Sequence, residues 1–518
     1  PFQNDSQDSS NVYLINGLMV ALIDNLHQIQ DLQVTSRTTI ERYRAVSHTI
    51  PELAEELGVS YFVEGSGQKI GDKILLTLRL IDGQADTLIW AKRYQRETTD
   101  IFQLQSEVST SIAGEIEAFI TPEEQQRLQL PPTDNLVAYD YYLQGLEQIK
   151  RENRDDLILG IASLQKAIAE DPQFAHPHAY LAISYYFLDL YQTDKKHVED
   201  INTLADKALL LDPKLNESLI GKALYYMQAG QYELSIQFFD KVLRNDPGSG
   251  WVHNLLSTIY SVHQPNTEHY LRHALQGINY AVAGQDSNTI SFAYLHLGNA
   301  LAQNGFLAEA VPFLEKSLQY QASNLFAETL AIYVQLGLNN DFALAYQRFQ
   351  SLLAKEPQFL SSLHETAKLA LYQRKYEESW EYYERFLAIR QQAGLDVYKG
   401  EDINIAFVLQ QLGRNTEAER YRARYFEFIQ TEEPAYQDLG FAAYYTAIGE
   451  KAKAIEALKA FAQRENYQYW LILYIDRDPM FESLETEPDY AKAIQLIKDN
   501  FWRQHQKMRT ELQEEGLI

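Results

Sequence analysis

Prolines that follow an acidic residue recur along most of the chain and divide it into helical segments. They lie at Pro172, Pro213, Pro247 and Pro357, and the second and third are 34 residues apart. Proline cannot extend the preceding helix but fits the first turn of the next one, so it favours a boundary between helices. A period of 34 residues is typical of a repeated helix–turn–helix unit. Most of the chain is therefore expected to be a solenoid of stacked helix pairs.

Two segments, residues 219–247 and 294–321, carry this unit most clearly and resemble tetratricopeptide (TPR) repeats. Where paired helices cross closely, a small residue is needed at the crossing and a larger one beside it. The small residues predicted at these crossings are Ala223, Gly298 and Ala310, and the larger ones are Tyr226, Phe239 and Leu314. The same frame gives about nine units, near residues 136–172, 175–213, 216–247, 250–287, 291–323, 325–357, 360–391, 402–428 and 436–463.

Strand and helix patterns alternate in the first 125 residues. Residues 73–81 alternate apolar and polar side chains, which is the period of a half-buried strand. Pro51 and Gly58 bracket a short helix, as helix ends prefer. The predicted order is a helix over 11–29, a strand over 32–37, a helix over 51–58, strands over 61–70, 73–81 and 87–93, and a helix from Asp100. This order predicts a small α+β sandwich.

Gly65, Gly67 and Gly71, with a lysine nearby, raise the alternative of a phosphate-binding loop. Such a loop needs a helix directly after the glycines, so that the helix N-terminus faces the anion. A strand pattern follows Gly71 instead. We therefore interpret the glycines as hairpin turns, with Gly71-Asp72 as the tight turn between two strands.

The segments LQVTSRTT (32–39) and IPELAEELGVSYFVEGSGQKIGDKILLTLRLIDGQADTLIWAKRYQRETTDIFQLQSEVSTSIA (50–113) resemble the TolB-like amino-terminal domain of bacterial nucleotide cyclases and CadC-type membrane-spanning transcription regulators. Family members begin with an apolar strand that ends in Pro-Phe, so Pro1-Phe2 implies that most of this strand is missing. Gly67 stands where the family more often has a β-branched residue. The resemblance implies no catalysis, and Trp90 and Tyr94, which share one face of a strand, are interpreted as core residues.

The predicted organisation is an α+β N-terminal domain over 1–125, a linker over 126–135 and an all-α TPR superhelical solenoid over 136–465. A C-terminal helical cap is expected over 466–518, because its last helix has both an apolar and a charged face and a terminal repeat needs a polar outer surface. Similar endings accompany the same domain pair in bacterial regulators, so the resemblance extends more weakly over the whole chain.

Composition argues against several classes of function. The chain has 45 basic and 71 acidic residues, a net charge of −26, which opposes binding to nucleic acid or to anionic membranes. It has no cysteine, which excludes disulfides and thiolate metal sites. No nucleophile elbow, dinucleotide fingerprint or kinase motif is present, so neither an enzyme nor a cofactor is predicted.

Histidine pairs are the candidate metal ligands. His269 and His273 are four residues apart on one helical face, and His176 and His178 form a second pair. Neither pair has a third ligand nearby in the sequence. His364-Glu365 does not complete a HExxH motif because Lys368 takes the last place. No metal site is therefore predicted.

The first helix of each pair is expected to line the concave wall of the solenoid. An aromatic stripe with some amides is predicted there and is the candidate site for a saccharide, peptide or protein ligand. The alternative is that these aromatic side chains only fill the core, since the chain has 35 tyrosines. The predicted ligand-binding residues are Tyr139, Tyr142, His176, Tyr186, Trp251, Asn254, Phe292, Asn299, Phe326 and Tyr333, and Glu217 lies in the same row.

The leading functional hypothesis is the sensor or partner-binding region of a bacterial signalling protein. The resemblance implies a membrane-anchored transcription regulator whose DNA-binding domain and membrane helix precede Pro1, with this part in the periplasm, or alternatively in the cytoplasm. The rivals are a TPR scaffold for protein assembly and the regulatory region of a nucleotide cyclase. A homodimer is left open. Contact with the membrane is expected only through the segment that precedes Pro1.

Overall fold

The computed structural model describes residues 2–5, 12–35, 40, 49–151, 154–190, 195–282, 285–392, 397–431 and 436–518. The chain divides into two units. Unit 1 comprises Pro1–Ile259 with Asn279–Gly284, and unit 2 comprises Tyr260–Ile278 with Gln285–Ile518. In these ranges no helix is both long enough and apolar enough to cross a membrane.

Unit 1 contains a four-stranded sheet. Its strands, hydrogen-bonded in chain order, are β1 (Gln3–Asn4), β2 (Tyr61–Ile70), β3 (Lys73–Asp82) and β4 (Thr87–Glu97). β1 is parallel to β2, and the other neighbours are antiparallel. Gly71 has a φ of 59° in the two-residue turn between β2 and β3, a conformation that glycine adopts without strain. The predicted hairpin is therefore confirmed.

Alternate side chains of β3 form the buried face of this sheet. Every second residue from Ile74 to Leu80 is buried, as a period of 2 predicts. On β4, Tyr94 is buried and Trp90 packs against the same core, so their interpretation as core residues is confirmed.

Among the described residues, the helices that accompany the sheet are α1 (Val12–His27), α2 (Ile50–Leu57), α3 (Ile101–Glu115) and α4 (Pro122–Leu128). A threonine and a glutamate cap each other's backbone at the start of both α2 and α4. The strand predicted over 32–37 is wrong for its described part, because residues 32–35 belong to no strand. Leu32 and Val34 pack on the core from an irregular segment, which explains the apolar pattern. Residues 36 and 37 lie outside the described residues.

Helix α1 joins the α+β region to the first repeat. It packs on α5 (Leu136–Ile149) at Gly17, where a Cβ would lie 2.5 Å from the side chain of Leu143. The Tyr13 hydroxyl donates a hydrogen bond of 2.6 Å to Asp140. One hydrophobic core therefore extends from the sheet through α1 into the repeats.

The eighteen helices from α5 to α22 follow one another as nine helix–turn–helix pairs. After α5 they are α6 (Arg154–Glu170), α7 (Ala175–Leu190), α8 (Val198–Leu211), α9 (Asn216–Gln228), α10 (Tyr232–Asn245), α11 (Gly250–Thr258), α12 (Thr267–Val282), α13 (Ser287–Gln303), α14 (Leu307–Tyr320), α15 (Leu325–Asn339), α16 (Phe342–Lys355), α17 (Leu360–Tyr372), α18 (Tyr376–Gln392), α19 (Asp402–Gln411), α20 (Asn415–Thr431), α21 (Gln437–Ala447) and α22 (Lys451–Phe461). A π-helical turn, Ile259–His263, follows α11. Short 3₁₀ turns are Thr98–Asp100 and Lys399–Glu401.

Small residues lie where paired helices cross, as the repeat pattern predicts. A Cβ at Gly298 of α13 would lie 2.8 Å from the Leu314 side chain of α14. Ala223 and Ala310 have no exposed surface. The Ser235 hydroxyl donates a 2.8 Å hydrogen bond to the Ala223 carbonyl, which ties α10 to α9 at their crossing. The predicted close crossings are therefore confirmed.

The segment that follows α22 folds against the first helices of the unit 2 pairs. It contains α23 (Tyr469–Tyr474) and a 3₁₀ turn, Pro479–Leu484. The ring of Trp470 lies 5.4 Å from that of Tyr333 on α15. The ring of Tyr474 stacks on Tyr372 of α17 at 4.8 Å. The segment thus packs its rings directly against α15 and α17.

The last helix, α24 (Pro488–Glu514), packs on the earliest helices of unit 2. His505 Nδ1 lies 2.7 Å from the Asn304 carbonyl at the end of α13. Arg272 of α12 pairs with Glu515 just after α24, at 2.8 Å. The segment predicted as a cap is helical, and its contacts reach far beyond the last repeat.

Candidate functional site

A cleft of about 2060 Å³ runs through unit 1 between α1 and the first helices of the repeat pairs. Its walls come from α1, the residues around Pro131, the helices α5, α7 and α9, and the start of α11. The cleft brings together six predicted residues: Tyr139, Tyr142, His176, Glu217, Trp251 and Asn254. Tyr186 lies outside this lining, and its hydroxyl lies 3.7 Å from the Met227 sulfur.

Rings form the inner end of the cleft. The ring of Tyr142 lies 5.1 Å from Phe174, 5.6 Å from His176 and 5.9 Å from Tyr180. Tyr139 and Tyr142 are almost fully buried, and the Tyr139 hydroxyl accepts a hydrogen bond from the Gln105 amide at 2.9 Å. Core packing therefore accounts for Tyr139 and for most of the Tyr142 ring.

Carboxylates surround His176. Its Nε2 lies 3.8 Å from Asp24 Oδ2 on α1. Burial lowers the pKa of His176, although the negative charges of Glu217 and Asp212 act in the opposite direction. His176 is therefore neutral near pH 7 and presents one donor and one acceptor to the cleft.

The lining of the cleft also holds charges of both signs. Asp246 is buried, and burial raises the pKa of Asp246, while His27 acts to lower it. Arg154, Lys214 and Arg244 lie at exposed positions along the same lining. The lining can therefore pair with positive or negative groups of a bound ligand.

Exposed aromatic surface is concentrated at the start of α11. Phe187 and Trp251 stack with ring centres 6.1 Å apart and planes 21° apart, and 37% of Phe187 remains exposed. Asn254, one turn further along α11, is exposed. These side chains offer an apolar platform with a polar edge, which is the surface that a bound segment can cover.

The other predicted residues lie in unit 2. Tyr333 faces Trp470 and Tyr474 of the C-terminal segment. The concave wall at Tyr333 is thus covered by the chain itself. Asn299 lies beside the Tyr270 hydroxyl, which donates a hydrogen bond of 2.8 Å to the His296 carbonyl. A ligand role for Asn299 and Tyr333 stays a prediction.

Phe292 and Phe326 belong to a row of rings at the start of successive repeats, in which Phe326 is exposed and its neighbours are half-buried. Phe292 lies 6.4 Å from Phe326, which lies 5.2 Å from Phe359. Half of the Phe326 surface is exposed. Phe292 and Phe326 were predicted from the sequence because they share a position in successive repeats. Phe359 was not predicted.

Unit 2 also contains a charged cluster that the sequence did not indicate. Lys368 Nζ lies 2.9 Å from Glu365, and Glu401 accepts hydrogen bonds from Tyr383 at 2.9 Å and Asn404 at 3.1 Å. Burial acts to lower the pKa of Lys368, but Glu365 and Glu401 outweigh it and raise that pKa. The adjacent His364 is neutral near pH 7, because burial lowers its pKa to about 4. The cluster joins α17 to the turn before α19.

The ring nitrogens and faces of the histidine pairs have other contacts. His269 and His273 both stack on Tyr260, with ring centres 4.7 and 5.7 Å from it. His178 Nε2 lies 3.2 Å from the Pro172 carbonyl. Across the part of the chain that the structure describes, no group of three or more His, Cys, Asp or Glu side chains is placed to hold a metal ion.

The chain is similar to solved structures of TPR-type proteins. It is 17% identical to PilF of Pseudomonas aeruginosa, with a TM-score of 0.28 over 53% of this chain and 99% of that chain. It is 15% identical to the C-terminal part of a TPR repeat-containing protein of Cytophaga hutchinsonii, with a TM-score of 0.33 over 49% of this chain and 95% of that chain. It is 15% identical to YrrB, described as a TPR protein with an unusual peptide-binding site, with a TM-score of 0.23 over 44% of this chain and 92% of that chain.

Sequence comparisons match separate parts of the chain. Residues 217–249 match the tetratricopeptide repeat family. A putative adenylate cyclase 3 of Rhizobium meliloti (strain 1021) is 30% identical over 183 residues, which are 35% of this chain and 31% of the relative, so the chain spans about a third of that protein. The TolB-like resemblance stays a prediction. Residues 1–111 are similar to the second domain of HilA/YgeH-like transcriptional regulators.

Proposed function

We propose that this chain is the non-catalytic, partner-sensing region of a bacterial signalling protein and that the unit 1 cleft receives a peptide or a protein segment. The position of the cleft carries the proposal: α1 of the α+β region forms one wall, and the first helices of the repeats form the other. A ligand that contacts both walls stabilises the arrangement of α1 and the repeats to which it binds most tightly. Binding then shifts that equilibrium, which is how a sensor acts.

The lining favours a peptide as the occupant. The exposed ring of Phe187 and the half-buried ring of Trp251 offer a surface to apolar side chains. The acidic residues Asp246 and Glu217 can bind basic or hydrogen-bond-donating side chains of a peptide, and Lys214 can bind acidic or accepting ones. Mixed apolar and polar surface of this kind suits an extended segment, and the concave surfaces of helical repeats commonly bind such segments.

We propose that this region has a regulatory role in a longer protein. The match to a transcriptional regulator domain and the distant cyclase relative support that context. The finer proposal is a TolB-like domain with TPR repeats in a membrane-anchored transcription regulator, on the periplasmic side. A nucleotide cyclase as output and a cytoplasmic location are the alternatives. A DNA-binding domain and then about 20 apolar residues in the sequence upstream of Pro1 would favour the regulator, whereas a cyclase domain would replace it.

The peptide proposal is tested by selecting displayed peptides on the immobilised 518-residue chain and measuring their affinities by calorimetry. Trp251→Ala is expected to weaken selected peptides about tenfold, because large aromatic rings carry much of the binding energy at such surfaces. Phe326→Ala is the matched control, since it removes an exposed ring outside the cleft. Failure to select any peptide, or equal affinity for wild type and Trp251→Ala, would reject the proposal.

A scaffold that assembles other proteins is the second candidate, and the exposed ring of Phe326, flanked by the half-buried rings of Phe292 and Phe359, favours it. This function predicts the reverse pattern in the same experiment. Phe326→Ala would then weaken the selected peptides, and Trp251→Ala would leave their affinities unchanged.

A further inference from the structure

A second pocket, of about 770 Å³, lies within unit 2, where the two ends of the unit meet. One wall comes from residues 260–267 before and at the start of α12, and the other from α19, α20, α21 and residues 464–481. The Asn466 side chain joins the two walls by accepting hydrogen bonds from the Thr267 N–H at 3.3 Å and the Thr267 hydroxyl at 3.1 Å. The volume falls within the range of about 300–1,000 Å³ that is usual for small-molecule sites.

The pocket combines aromatic rings with side-chain amides. Aromatic faces can cover the C–H faces of a ligand, and an amide offers both a donor and an acceptor. The rings in the lining are Tyr260, Tyr425, Phe428, Tyr436 and Phe481, and the amides are Asn266, Gln303, Asn404, Asn466 and Gln468.

The fold itself determines which end of several amides can engage a ligand. Asn266 Oδ1 accepts the His269 N–H at 3.0 Å and Asn466 Oδ1 accepts the bonds from Thr267, so each amide has its NH₂ group to offer. Asn404 donates its NH₂ group to Glu401 and so has its oxygen to offer. Donors and acceptors are therefore interspersed around the pocket, which matches hydroxyl groups because each hydroxyl both donates and accepts.

The charges in the lining disfavour an anionic ligand. The guanidinium of Arg464 is already bonded to Asp438, at 2.9 and 3.1 Å. Glu465 is exposed at the edge of the pocket. Asp478 uses Oδ1 to accept the Met480 N–H at 3.0 Å, and the positive charges of Lys368 and Arg374 partly offset its own. A neutral ligand therefore fits better than an anionic one.

We propose that this pocket binds a neutral mono- or disaccharide, with its C–H faces against the rings and its hydroxyls bonded to the amides and to Asp478. Because the walls come from both ends of unit 2, the sugar would link residues 260–267 to the helices α19–α21. The proposal concerns unit 2 alone and does not depend on peptide binding in unit 1.

The test is calorimetry of the 518-residue chain with glucose, galactose, N-acetylglucosamine, maltose and cellobiose. At least one sugar is expected to bind, and Phe428→Ala is expected to weaken it about tenfold, since loss of a contacting aromatic ring costs about that factor. Phe426→Ala is the matched control: Phe426 lies two residues away on α20, outside the pocket lining, and stacks on Tyr444 at 4.4 Å.

Absence of binding by all five sugars would overturn the proposal. So would equal weakening by Phe426→Ala and Phe428→Ala, which would mean that both act through the packing of α20. Glycine and alanine, which are zwitterions, and lysine, which has a net positive charge, serve in the same titrations as probes that carry charged groups. Binding of one of these in place of the sugars would contradict the proposal of a ligand without charged groups.

Asn404→Leu replaces an amide of the lining by an apolar side chain. This second variant is expected to abolish sugar binding.

Discussion

At the scale of single residues, Lys368 is a largely buried cation of unit 2 that its neighbours stabilise. Lys368 is only 17% exposed at its side chain and pairs with Glu365, which is 13% exposed. Glu401 adds a second negative charge nearby, and burial acts to raise the pKa of Glu401, but Lys368 and His364 outweigh it and lower that pKa. Removing one member of such a group leaves the others buried without compensation.

Lys368→Met is therefore expected to lower the free energy of unfolding by about 3–5 kcal/mol, because Glu365 and Glu401 lose their cation. Lys355→Met is the matched control. Lys355 pairs with Glu328 at 3.3 Å, and its side chain is 67% exposed. That control should change the free energy by less than about 1 kcal/mol. Urea unfolding followed by circular dichroism measures both, and equal losses would contradict a special role for Lys368.

Asp478 should give unit 2 a pH dependence whose sign follows from its surroundings. Burial raises the pKa of Asp478 to about 6; the Met480 N–H, Lys368 and Arg374 act to lower it, and Glu401 acts to raise it. A carboxyl whose folded pKa exceeds its unfolded pKa contributes stability that is fully present below the unfolded value. That contribution is lost as the pH rises through about 6.

Asp478→Asn should remove this pH dependence, because the amide does not titrate. Relative to wild type, the variant is expected to gain up to about 3 kcal/mol of stability between about pH 4 and pH 7. Asp499→Asn, at an exposed position on α24, should show no such gain. Urea unfolding at a series of pH values tests this, and a constant difference between Asp478→Asn and wild type would disprove it.

At the scale of elements, periodicity predicted the parts of the fold that depend on local packing. The period of 34 residues identified the helix pairs, and alternation identified β3 and the Gly71 turn. Contacts between distant segments left no such signal. Tyr474 stacks on Tyr372, which is about a hundred residues earlier, and no spacing rule relates them.

The candidate sites, too, could be predicted only where their residues follow the repeat pattern. Trp251 and His176 were found because they share a position in successive repeats. Asp478 and Glu401 were missed because isolated acidic residues are usually exposed, and only the folded chain buries them beside Lys368. The pocket of unit 2 depends on residues from many separate elements, so no local pattern could indicate it.

Tyr474→Ala should show that the C-terminal segment is an integral part of unit 2. Tyr474 is 8% exposed among Tyr333, Phe342 and Tyr372, so its truncation leaves a cavity. A loss of about 3–5 kcal/mol in the free energy of unfolding is expected, as for other large aromatic truncations. Tyr320→Ala, at a ring that is 45% exposed, is the control and should cost much less. A small effect of Tyr474→Ala would mean that the segment is only loosely attached.

At the scale of the whole molecule, net charge is the dominant electrostatic property. The chain carries 71 acidic and 45 basic residues, a net charge of −26. Many of its ion pairs are exposed, such as Lys459 with Asp489 at 2.5 Å, and exposed pairs contribute little to stability. Repulsion among the unpaired excess of carboxylates acts against the folded state, in which they are closest together.

Added salt should therefore stabilise the chain, because it screens this repulsion more than it weakens the exposed pairs. Raising NaCl from about 0.02 M to about 0.5 M shortens the Debye length from about 20 Å to about 4 Å. A gain of about 1 kcal/mol would raise the melting temperature of a unit of this size by about 2–4 °C. Glycerol at equal osmolality controls for effects that are not electrostatic, and thermal melting followed by circular dichroism gives the measurement. A lower melting temperature in NaCl would show that the ion pairs, such as Arg464 with Asp438 at 2.9 Å, outweigh the excess negative charge.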